Sequence, residues 1–134
     1  MDQYKVMIVD DSPLMRSLFK ELIDGDPRLC VAALAEDGAQ ARKQLDETQP
    51  DVILLDLEMP VWDGLNFLRH YRSHTEAKII DLSAVVDGKK KPIGNAAERY
   101  GADAVIAKPS GSQDEMGKDA GQSVLKAVYE LLGI

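Results

Sequence analysis

Apolar residues in this chain fall into short unbroken runs that alternate with stretches where they recur every three or four positions. Tyr4 to Val9, Leu29 to Leu34, Val52 to Leu55, Lys78 to Leu82 and Ala104 to Ala107 are the runs, rich in Val, Ile and Leu and bounded by Asp, Gly or Pro. Runs of that length without polar alternation predict strands buried on both faces. Between the first two, Ser12-Pro13 reads as an N-cap followed by a first-turn proline. Leu14, Met15, Leu18, Phe19 and Leu22 then keep helical spacing until Gly25 and Pro27. Glu36-Asp37-Gly38 opens a second helix carrying Ala41 and Leu45, which Thr48 to Pro50 closes. Asp63-Gly64 leads into a third with Leu65, Leu68 and Tyr71, and Pro92 opens a short one near Gly94 to Tyr100. Val124, Leu125, Val128, Leu131 and Leu132 make a last amphipathic helix that ends at Gly133. Asp87-Gly88 and Lys89 to Lys91 read as an exposed loop.

Strands that alternate with helices imply an α/β fold, because parallel neighbours need crossover helices. The prediction is a doubly wound five-stranded parallel sheet with helices on both faces. Periodicity does not order the strands, but a flavodoxin-like order 2-1-3-4-5 would set Asp10-Asp11 beside Asp56 at the switch point, where such sheets bind ligands.

At 134 residues, 45% of them hydrophobic, the chain is read as one domain over 1–134 with no second domain. A net charge of -7 argues against direct binding to nucleic acid, which relies on Lys and Arg, and favours a cation partner. The N-terminal MDQYKVMIVDD has no signal-peptide core, and nowhere do about 18 apolar residues run together. A soluble cytoplasmic protein without a membrane role is the expectation. Cys30, the one cysteine, sits between Leu29 and Val31 and reads as a buried, inert thiol.

Asp56 is the residue that most needs explaining. It closes the apolar run Val52 to Leu55, and an ionised carboxylate in apolar surroundings is costly unless it is paired or bound to a cation. Asp10 and Asp11, Ser83 and Lys108 leave the ends of other strands. Singly, a strand-end Ser or Lys is an ordinary cap or solvated group; the set at four strand ends is complementary. Crowded carboxylates repel one another and are relieved by a hard divalent cation such as Mg²⁺. A carboxylate can also attack a phosphoryl group to give an acyl phosphate, with Asp56 the candidate nucleophile. Lys108 would supply a cation for phosphoryl oxygens and Ser83 a hydroxyl donor, with Ala84 leaving room beside it.

VDDS at Val9 to Ser12, DLEMPVWDG at Asp56 to Gly64, LSA at Leu82 to Ala84 and AKP at Ala107 to Pro109 resemble the motifs of a response-regulator receiver domain, across essentially the whole chain. The resemblance implies a phosphorylation-dependent signalling switch of a two-component or chemotaxis pathway. Asp56 would accept a phosphoryl group from a histidine kinase or phosphotransfer protein. It further implies Mg²⁺ bound by Asp11, Asp56 and the backbone carbonyl of Glu58, with Asp10 acting through water. Ser83 takes the switching hydroxyl's place and Lys108 the phosphate contact, with a cis peptide expected before Pro109. Such a receiver catalyses its own phosphorylation and dephosphorylation and is not otherwise an enzyme. It passes the change to an output domain or downstream protein, or pairs with a second phosphorylated copy.

Within the family, Asp26-Pro27, Glu36-Asp37-Gly38, Leu57 to Pro60 and Lys108 to Ser112 are similar to the receiver of the chemotaxis protein-glutamate methylesterase. No Gly-x-Ser-x-Gly elbow follows before Ile134, so the chain reads either as an excised receiver or as a stand-alone one. Two positions depart from the family pattern. Val105 stands where an aromatic residue is usual in the last strand, and Asp81 puts a carboxylate into a strand that is normally apolar there. Local pairing of Asp81 is the expectation. His70 and His74 have the spacing of a metal pair, but Tyr71 replaces the Glu of the zinc-protease motif, so they read as surface histidines. Lys89 to Lys91 reads as solvated rather than as a dock for an acidic partner, and Trp62 as either a partner contact or a packing residue. Two other classes stand as alternatives: an aspartate-nucleophile phosphatase, on the faint likeness of Asp56-Leu57-Glu58 to an Asp-x-Asp motif, and a phosphate-independent interaction module.

Overall fold

The computed structural model describes residues 3–57, 64–83, 85–86, 89–90, 99–107 and 119–134. Strands β1 (Tyr4–Val9), β2 (Leu29–Ala35), β3 (Val52–Asp56), β4 (Lys78–Ser83) and β7 (Ala104–Ala107) form one five-stranded sheet in the order β2-β1-β3-β4-β7. Every pairing in it is parallel. Counted within this sheet alone, the order is the expected 2-1-3-4-5. A separate two-stranded antiparallel ribbon pairs β5 (Val85–Val86) with β6 (Lys89–Lys90), so Lys89 and Lys90, expected in an exposed loop, form a strand. Its Asp87-Gly88 signal is the one that two-residue hairpins use.

Helices α1 (Pro13–Asp24), α2 (Gly38–Thr48), α3 (Gly64–Tyr71) and α4 (Asp119–Leu132) are described, with a 3₁₀ turn at Arg72–His74. Ser12 caps α1 by accepting the Met15 N–H at 3.2 Å, with Pro13 in the first turn. Asp37 caps α2 in the same way through Gln40 at 2.8 Å. Each such cap stabilises its helix by about 1 kcal/mol. Helix α4 begins earlier than its apolar stripe, because Asp119 to Gln122 are small or polar residues that give no periodic signal. The short helix expected near Gly94 to Tyr100 lies largely outside the described residues.

The two faces of the sheet carry two cores. Met15, Leu18, Phe19 and Ile23 of α1 pack with Val124 and Val128 of α4 over Val6, Ile8, Leu54 and Ile80. On the other face Ala41 and Leu45 of α2 and Phe67 and Leu68 of α3 cover Met7, Val9, Ile53, Leu55 and Ile79. Successive strand residues alternate between these clusters, as the period of two requires. Val52 to Leu55 are fully buried, which fits a central strand covered on both sides. Fully burying each such side chain contributes roughly 1.5–3 kcal/mol. Cys30 is only half-buried, because β2 is an edge strand with incomplete cover, so the expectation of a buried thiol does not hold.

Candidate functional site

The candidate site lies at the carboxyl edge of the sheet, where β1 and β3 end side by side. Val9 pairs with Leu55, so the next residues, Asp10 and Asp56, emerge together. The β1–α1 turn is fixed by its own sequence. Asp10 Oδ1 accepts the Ser12 N–H at 2.9 Å, the Asp10 N–H is bonded to the Ala35 carbonyl at 3.0 Å, and Arg16 Nη1 donates to the Asp10 carbonyl at 2.7 Å. The buried carboxylates of Asp10 and Asp56 and the exposed one of Asp11 are thereby gathered, their oxygens within 4.8 Å of one another. Arg16 was not read as part of the site. A basic residue one turn into α1 was the only sequence signal for it.

Asp56 is the last residue of β3 and is fully buried, as the sequence placed it. It pairs in register with Leu82, and the Leu57 N–H continues that pairing to the Leu82 carbonyl at 3.1 Å. Ser83, also buried, ends β4 one residue further along the same edge, opposite Ala107 at the end of β7. Asp10, Asp56 and Ser83 each engage further polar partners. Glu58, Trp62, Ala84 and Lys108, with the peptide before Pro109, lie outside the described residues; Lys108 directly follows Ala107 in sequence.

Like charges at this range repel strongly. Two unit charges 4 Å apart at an effective dielectric constant of about 20 interact by about 4 kcal/mol. A cluster of carboxylate oxygens with no nitrogen or sulfur donor among the described residues suits a small hard cation, which removes the repulsion and still leaves coordination positions for water or a ligand oxygen. The site can therefore hold a divalent metal and present one strand-end carboxylate to an anionic ligand next to a serine hydroxyl.

Residues 6–118 match the response regulator receiver domain family. The chain belongs to that family. Among curated relatives, this receiver is 34% identical over 128 residues to a protein-glutamate methylesterase/protein-glutamine glutaminase of Carboxydothermus hydrogenoformans, covering 96% of the chain and 36% of that protein. The corresponding protein of Treponema denticola is 40% identical over 114 residues, with 84% of the chain and 30% of the relative covered. The chain thus spans about a third of the length of these relatives. The receiver also superposes on the response regulator domain of Thermotoga maritima CheB with a TM-score of 0.85 and 30% identity, over 99% of this chain and 98% of that one. A chain from the crystal structure of the CheA3 P1 domain in complex with CheY6 from R. sphaeroides matches with a TM-score of 0.78 and 40% identity, over 100% of this chain and 100% of that one. The receiver is a two-component and chemotaxis signalling module, and its likeness to methylesterase receivers agrees with the sequence reading. Among the described residues no helix is long and apolar enough to cross a membrane.

The two departures take definite places in the structure. Val105 is buried in the core under α2 and α3, and Asp81 is its partner in register. Asp81 is fully buried, and neither carboxylate oxygen has a hydrogen-bond partner among the described residues, where the expected local pairing is absent. His70 and His74 lie exposed on the surface.

Proposed function

We propose that this receiver takes a phosphoryl group onto Asp56 from the phosphohistidine of a kinase or phosphotransfer protein, in the cytoplasm, and passes the change to an output domain or downstream protein. The observation that carries the reading is the meeting of the Asp10, Asp11 and Asp56 carboxylates within 4.8 Å at the sheet edge where Ser83 also ends its strand. An Asp56 carboxylate oxygen attacks phosphorus as the bond to the donor imidazole nitrogen breaks, leaving an acyl phosphate and a histidine that retains the leaving electron pair. Asp11, Asp56 and the carbonyl of Glu58 would hold Mg²⁺, with Asp10 acting through water. Held there, Mg²⁺ would offset charge on the transferring group. Ser83 would donate its hydroxyl to a phosphoryl oxygen and Lys108 its ammonium. Both contacts exist only in the phosphorylated state, so they bias a two-state equilibrium of the β4 and β7 ends.

The chain has no catalytic role in this reading beyond its own phosphorylation and hydrolysis. Its likeness to methylesterase receivers supports a chemotaxis output. The test is incubation with acetyl phosphate with and without Mg²⁺. Stoichiometric labelling that needs Mg²⁺ and disappears in Asp56→Asn is the expected result, and labelling of that variant equal to wild type would overturn the assignment.

A further inference from the structure

One residue of the described core is used by neither the packing nor the proposed chemistry. Asp81 lies in the middle of β4, between Leu55 of β3 and Val105 of β7 in register, with no exposure and with both oxygens unpartnered among the described residues. Strand alternation puts it on the face of Ile79, over which Phe67, Leu68, Leu55 and Val105 form the core. The strands on either side offer it only apolar side chains. Among the described residues, the charged groups that act on it are Asp103, which opposes its ionisation, and Arg72, which favours it. These two are ion-paired to each other at 3.1 Å, and Tyr71 of α3 is the titratable side chain packed against the same cluster. A carboxylate in such a place would lack every hydrogen bond it needs, so the group is held as the neutral acid.

We propose that Asp81 is a proton-operated latch on the β4–β7 pair: as the neutral acid it lets the strands close under α3, and on ionising it draws in water and loosens β4 against β7. Ser83 lies two residues further along the same strand, so the latch acts on the end of β4 that borders the acidic cluster. Burial, then the nearby Asp103 carboxylate, push the Asp81 acid up to about 8, with Arg72 working against them. The sign follows. The folded protein keeps this proton at pH values where the unfolded chain has lost it, so stability falls as pH rises from the ordinary aspartate range through about 8 and levels off above.

The test follows the Asp81 carboxyl carbon by NMR from about pH 2 to about pH 10, together with amide exchange in β4 and β7 corrected for its intrinsic pH dependence. A midpoint near 8 is expected. Corrected exchange of β4 and β7 should rise by about tenfold across the same range and stay flat in Asp81→Asn. If the amide variant fails to fold, Asp81→Leu, which matches the apolar surroundings, serves the same comparison. A midpoint near the ordinary aspartate value overturns the latch, as does an equal rise in exchange in the neutral variant. Neither readout uses phosphorylation, so the outcome is independent of the role proposed for Asp56.

Discussion

The Tyr129 hydroxyl donates to Asp26 Oδ2 at 2.7 Å, tying the last helix to the turn between α1 and β2. Asp26 also accepts from Arg28 through its N–H at 2.8 Å, Nε at 3.2 Å and Nη2 at 3.0 Å. The Arg28 guanidinium in turn lies 4.7 Å from the centre of the Tyr129 ring. Hydrogen bonds from the Arg28 side chain, then its N–H, then Tyr129 hold the Asp26 carboxyl well below the usual carboxylate range, against the opposing effect of burial. The same contact with Asp26 raises the Tyr129 hydroxyl. Helix α4 is thus anchored at the end of the molecule away from the acidic cluster.

Tyr129→Phe is expected to cost about 1.5–3 kcal/mol in urea unfolding at neutral pH, the range for a hydrogen bond to a charged group. The pH dependence has a fixed sign. The folded Asp26 is depressed, so its stabilisation is complete above the ordinary carboxylate range and is lost as pH falls through the folded value. The stability difference between wild type and Asp26→Asn should therefore shrink below about pH 4. A difference that stays constant into strong acid would contradict an ionised, bonded Asp26.

Gly101 has a φ of +103°, and a Cβ there would sit 2.8 Å from Arg72 Cγ. Arg72 is not free to yield without consequence, since it pairs with Asp103, whose Oδ2 also accepts the Ile79 N–H at 2.8 Å at the start of β4. Gly101→Ala should lower stability by about 1–3 kcal/mol from the backbone strain and weaken the Arg72–Asp103 contact. Thermal unfolding checks the first, and the Ile79 amide shift checks the second. An alanine variant as stable as wild type would show that the turn does not need its left-handed residue.

The fold was legible because its signals are local. Val52 to Leu55 could be read as a two-sided strand, and Ser12-Pro13 and Asp37-Gly38 as helix starts, from a few adjacent residues each. The acidic site was legible because Asp10, Asp11 and Asp56 each end an apolar run, and the sheet order observed brings those ends together. The Asp26–Arg28–Tyr129 anchor was not, since Tyr129 meets Asp26 across 103 positions and occupies an ordinary place in an amphipathic helix. Asp81 was noticed as out of pattern, but its lack of a hydrogen-bond partner among the described residues depends on what surrounds it in three dimensions. The β5–β6 ribbon was missed because strands of two residues are too short to show a period.

Among the three carboxylates, Asp11 is the exposed one, so it can be changed with little effect on the core. Asp11→Asn is expected to weaken Mg²⁺ binding in calorimetric titration by about tenfold or more, roughly 1.4 kcal/mol, while unfolding stability without metal stays unchanged or rises as repulsion with Asp10 and Asp56 is relieved. Unaltered Mg²⁺ affinity would remove Asp11 from the metal site.

The central claim is that Asp56 is the phosphoryl acceptor. After acetyl phosphate treatment in Mg²⁺, the acyl phosphate is trapped by borohydride reduction and the modified residue is located by fragment mass spectrometry. Modification at Asp56 alone, in stoichiometric yield and absent when Mg²⁺ is chelated, is the result predicted. Modification at Asp10 or Asp11 with Asp56 untouched, or no modification of the intact folded chain, would contradict it.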